Sequence, residues 1–133
     1  MSVRYILDGK TPVRVDDAIQ WAQWFESSKR HVRQTGITYK VHGVREGTAS
    51  ISTVFLGLDH NWGTGPPVLY ETMIFGVDDS EIDDYQERYC TWEEAETGHK
   101  IAIEYLFEWL HKENTIYSRT KRMIQRLIDR FRE

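Results

Sequence analysis

Three β-rich runs in succession, 37–44, 49–58 and 68–75, constrain this 133-residue chain more than any other feature. Strands that follow one another through connections too short for a crossover must pair antiparallel. The first run alternates, with Ile37, Tyr39 and Val41 facing one way and Thr38, Lys40 and His42 the other, and it ends at Val44. That is the pattern of a half-buried strand. Arg45-Glu46-Gly47 is expected to turn the chain into the second run. The third run sets Leu69, Glu71, Met73 and Phe75 on one face and Val68, Tyr70, Thr72 and Ile74 on the other.

The other elements follow from their own signals. Runs 4–7 and 13–15 read as short strands joined through Asp8-Gly9. In DDAIQWAQWFESSKRHVRQTG (16–36), Ala18, Trp21, Ala22, Phe25 and Val32 recur at helical spacing. Asp16 or Asp17 can cap that helix, and Gly36 can follow its end. Lys29, Arg30 and Arg33 then sit where positive charge suits the dipole. The acidic run 78–87 reads as loop. Thr91-Trp92-Glu93-Glu94 is a capping box opening a helix to about His111, and a last helix begins near Asn114 or Thr115. The order β-β-α-β-β-β-α-α predicts one α+β domain over 1–133. It has an antiparallel sheet of about five strands, three helices and a basic amphipathic C-terminal helix at 114–133.

Composition excludes several classes. No segment approaches the ~20 apolar residues of a membrane span, and MSVRYILDGK lacks a signal-peptide pattern. The single Cys90 excludes an internal disulfide and a multi-cysteine zinc site, so a reducing cytoplasm is expected. The net charge of −4 disfavours nucleic acid as a partner. Its distribution is uneven: 78–87 carries six acids and no base, whereas 119–132 carries six bases against Asp129.

Chemistry is most expected in the loop 59–67, where Asp59, His60, Asn61 and Trp62 precede Gly63, Gly65 and two prolines. Pro66 and Pro67 remove amide donors and a strand follows, so this is not a phosphate-binding loop. Glu71 is an acid in an apolar row, and such acids call for a cation or hydrogen-bond donors to offset desolvation. His99 lies on the helix stripe Trp92, Ala95, His99, Ala102, Ile103, Leu106 and Leu110, and therefore faces the sheet. It is either a satisfied core histidine or a site residue. A shared pocket is expected to unite Asp59, His60, Trp62, Glu71 and His99, with His60–Glu71 or Asp59–His99 as the better pairs. The same residues could suit a metal, but no HxH, HExxH or CxxC spacing supports one, and no cofactor motif is present. Cys90 has no identifiable catalytic partner. On the last helix Arg119, Arg122, Arg126 and Arg130 climb one ridge beside Ile116, Met123, Ile124, Leu127, Ile128 and Phe131. Arg122 and Arg126 are candidate contacts to an anionic ligand, and the apolar stripe is either docked or a dimer seam.

The runs STVFLGLDHNWGTGPPVLYETMIFG (52–76) and YCTWEEAETGHK (89–100) resemble a family of small phage and prophage proteins. These carry an STVFLGLDH…PPxLFETMxFG…YxTWxEAxxGH pattern, and DGKTPVRVDDAIQWAQWFE (8–26) is similar to that family's start. The resemblance covers roughly 8–100 and brings no catalytic residue. It implies a phage-type accessory protein inside a bacterial cell. The function expected is binding, by a homo-oligomer that engages a host protein or sequesters a small, nucleotide-like ligand beside the 59–67 loop. The alternatives are a small metal-dependent hydrolase using Asp59, His60, Glu71 and His99, and a virion assembly component.

Overall fold

The computed structural model describes residues 2–43 and 45–132. The strand end expected at Val44 lies outside the described residues. The fold is α+β, with two antiparallel sheets and three helices. Strands β1 (Tyr5–Asp8) and β2 (Thr11–Arg14) form a ribbon that turns through Gly9 at φ +62°. Helix α1 (Ala18–Ser27) follows, and Asp17 caps it by accepting from the amides of Ile19 and Gln20. A second sheet has the order β3 (His31–Val41), β4 (Arg45–Phe55), β5 (Tyr70–Phe75), β6 (Gln86–Tyr89). The four-residue helix α2 (Ser80–Asp83) links β5 to β6. Helix α3 (Trp92–Arg132) closes the order.

One face of the four-stranded sheet is buried under α3. Alternation puts Ala49, Ile51, Thr53 and Phe55 of β4 on that face, beside Tyr70, Thr72 and Ile74 of β5. Ala95, His99, Ala102, Leu106 and Leu110 of α3 supply the facing stripe, at the spacing expected from the sequence. A second cluster joins α1 and the ribbon to this core. Phe55, Leu69, Tyr70 and Ala95 pack with Tyr5, Leu7, Trp24 and Trp92. The Trp21 indole donates to the carbonyls of Tyr5 and Gly57. Gly57, at φ +77°, lets the Phe25 and Trp21 rings lie against bare backbone.

Four local expectations are corrected. The helix expected over 16–36 stops at Ser27, where Ser28 turns extended and its amide bonds the Trp24 carbonyl. Residues 31–41 are strand, so Lys29, Arg30 and Arg33 do not lie in a final helical turn and Gly36 is mid-strand. Ladder bonding of this β-branched stretch to β4 outweighs its weak helix pattern. The hairpin turn is made by His42 and Gly43, both at positive φ, and Arg45-Glu46-Gly47 begin β4. The run 78–87 is partly ordered into α2 and β6. Asp79 caps α2, Asp83 accepts from the amides of Val77 and Asp78, and β6 adds a strand to the edge of β5.

The fourth correction concerns the C-terminal half. Two helices were expected there, and a single helix of 41 residues, about 60 Å long, is found. Asn114 does not start a helix. Its side chain accepts from the His42 amide and donates to the Lys40 carbonyl, while Glu113 bonds the His42 ring and Tyr117 stacks on it. These contacts clamp α3 to the β3–β4 hairpin. Beyond them every residue from 118 to 132 is exposed, so the helix overhangs the sheet as an arm.

Candidate functional site

The 59–67 loop is held by its own side chains. One Asp59 carboxylate oxygen accepts from the amides of Asn61 (2.7 Å) and Val68 (2.9 Å), across the base of the loop. The Asn61 amide nitrogen donates to the carbonyls of Thr64 (3.3 Å) and Pro66 (2.9 Å), and its oxygen accepts from the Gly63 amide (3.0 Å). His60 is fixed too: Nδ1 lies 2.8 Å from the Leu58 carbonyl, so it carries the proton and donates. The Asp59 amide donates to Val3, tying the loop to the N-terminal segment. Internal satisfaction of this kind makes a loop rigid at low entropic cost on binding.

Trp62 stands at the tip of this scaffold with 82% of its surface exposed. Beside it lies a cleft of about 320 Å³, lined by Ser2, Val3, Asp59, Asn61, Trp62 and Gly63. Among the described residues, no lysine or arginine lines the cleft.

His99 is elsewhere. It is buried under α3, where Nδ1 lies 2.7 Å from the Thr53 hydroxyl and Nε2 lies 2.8 Å from the Thr35 hydroxyl. Thr53 continues the chain to Thr72 at 2.6 Å. Burial, with the Arg33 charge as the smaller cause, pushes the imidazole pKa down and favours the neutral ring. Both ring nitrogens are engaged, so His99 is the satisfied core histidine of the two readings.

Glu71 faces away from this network. It neighbours Thr72, and adjacent strand residues point to opposite sides of a sheet. On the open face one Glu71 oxygen accepts from Gln86 (2.7 Å) and from the Arg88 guanidinium (2.9 Å). The acid in an apolar row thus has its donors, both supplied by β6, the strand not expected from the sequence.

The expected common pocket is therefore divided. Asp59, His60 and Trp62 share the loop, Glu71 lies on the open sheet face, and His99 lies beneath α3. Neither His60–Glu71 nor Asp59–His99 forms a pair. Among the described residues no group of three His, Cys, Asp or Glu side chains is placed to hold a metal. Arg122 lines a shallow depression on the arm with Asn114, Thr115, Ser118 and Arg119, and Arg126 is exposed further out. Neither approaches the loop through any contact of the fold. Two features escaped sequence reading. The threonine cage could have been found from alternation, which puts Thr53 and Thr72 on the helix-facing side. The role of Asn61 carries no periodic signal.

Searches against family models, curated proteins and solved structures give no match. No helix among the described residues is long and apolar enough to cross a membrane.

Proposed function

We propose that this protein is a non-catalytic binding module of phage type, which engages a host protein in the bacterial cytoplasm through the 59–67 loop with Trp62 as anchor. The observation that carries this reading is the exposure of Trp62 on a loop whose polar groups are bound internally. Tryptophan is enriched among interface hot spots, and a pre-organised loop presents its area at low ordering cost. A protein partner is favoured over a nucleotide-like ligand. The adjacent cleft is at the small end for a ligand site, and among the described residues it offers an anion no basic side chain.

The test is affinity capture from bacterial lysate with matched variants. Trp62→Ala should keep the melting temperature of the native protein and lose the captured partner, whereas Phe107→Ala, exposed on α3, should retain it. Equal capture by both variants would contradict the reading. Thermal-shift screening against nucleotides tests the small-ligand reading, and a stabilised hit lost in Trp62→Ala would favour it instead.

A further inference from the structure

One row of side chains runs the length of α3. Glu94, Thr97, Ile101, Glu104 and Glu108 are exposed, while the interleaved Ala95, His99, Ala102 and Leu106 face the sheet. The row passes through Lys112 and Thr115 and continues into the arm as Arg119, Arg122, Arg126 and Arg130, these four all exposed. Steps of three or four residues keep these positions on one helix face. The charges of the row are acidic from Glu94 to Glu108 and basic from Lys112 outward. The whole chain shows the same polarity. Of its 17 bases and 21 acids, six bases and two acids fall in 114–133, leaving a net −8 in residues 1–113.

We infer that the occupant of this face is a second copy of the chain, packed antiparallel along α3 about a two-fold axis near residue 113. That register sets Glu108 opposite Arg119 and Glu104 opposite Arg122, and symmetry repeats each pair. Ile101 falls opposite Arg126 and Thr97 opposite Arg130, so the alkyl stem of each arginine covers the smaller side chain. The tip of the arm then reaches the partner's cleft of about 430 Å³, lined by Tyr89, Glu93, Glu94, Thr97, Gly98 and Ile101. Arg130, opposite Thr97, then brings its charge to the rim of this cleft, which Glu93 and Glu94 make acidic.

The other pairings are disfavoured by charge. A parallel pair sets acid on acid and base on base. Arm against arm alone places six bases, with Asp129 the one described acid, beside their own copies. An anionic bilayer would attract the arm and repel the acidic half of the same row. This inference is independent of the role given to Trp62.

Sedimentation equilibrium with charge reversals tests it. The native protein should be a dimer at tens of micromolar, weakening at high salt as screening grows. Arg119→Glu/Arg122→Glu makes the row acidic throughout, and Glu104→Arg/Glu108→Arg makes it basic. Each variant alone should dimerise at least about tenfold more weakly, with circular dichroism unchanged because all four sites are exposed. Mixed in equal amounts, the two should form a heterodimer. A monomeric native protein, variants that dimerise as tightly as it does, or a mixture that stays monomeric would each overturn the inference. Binding of the native monomer to phosphatidylglycerol vesicles would overturn it in favour of a membrane surface.

Discussion

Glu71 and Thr72 are neighbours in β5, yet their partners lie on opposite sides of the sheet. Thr72 is linked through Thr53 to His99 beneath α3, whereas Glu71 holds Arg88 and Gln86 on the open face. The sheet separates the two ionisable groups that the sequence offered as one site. His99 serves as a structural element, and the accessible groups with potential for recognition lie on the loop and on α3.

Stability should depend on pH through His99. Its folded pKa is depressed, so below the unfolded value near 6.5 the unfolded chain takes up a proton that the folded chain resists. The contribution is intact above about pH 6.5 and is lost as pH falls. Urea titrations at pH 7.5 and 5.5 should show a larger drop for the native protein than for His99→Gln. Equal drops would show that the ring titrates freely.

Tyr70→Phe should be neutral or stabilising, within about 1 kcal/mol. The hydroxyl is buried with no partner among the described residues, and burial, with Glu93 as the lesser cause, pushes its pKa up to about 12. Removing it ends an uncompensated desolvation and keeps the ring packed on Phe55 and Trp92. A loss above about 1 kcal/mol in denaturant unfolding would reveal a partner for that hydroxyl.

Gly98→Ala should cost about 1–3 kcal/mol, because the added methyl collides with the Tyr89 ring at the joint between α3 and β6. A double-mutant cycle checks the cause. In a Tyr89→Ala background the same change should cost less. An unchanged cost would point to the helix backbone instead.

Asp59→Ala should loosen the loop, leaving the Asn61 and Val68 amides without their acceptor at about 1–3 kcal/mol if both stay dry. Hydrogen exchange should accelerate at those two amides and not in β4. Unaltered exchange would mean the backbone holds the loop without the carboxylate.

The parts of this fold that the sequence revealed are those governed by simple periods. Alternation correctly divided Tyr70, Thr72 and Ile74 from Glu71, and the helical stripe correctly turned His99 toward the sheet. The Asp17 cap and the Thr91–Glu94 capping contact were visible as local chemistry. The misread segments were decided by distant partners. Residues 31–36 are strand because β4 offers a ladder. Residues 86–89 are strand because β5 has a free edge. The helix crosses Asn114 because the β3–β4 hairpin occupies that side chain. The divided site has the same origin: face assignments were available, but the pairing that set Glu71 against Arg88 was not.

Site-specific photocrosslinking in bacterial cells tests the proposed binding role most directly. A benzophenone amino acid replacing Trp62 should crosslink to one host protein of defined mass, while the same group replacing Phe107 should not capture that protein. Absence of a crosslink from position 62, or the same product from both positions, would contradict Trp62 as the anchor of a binding site.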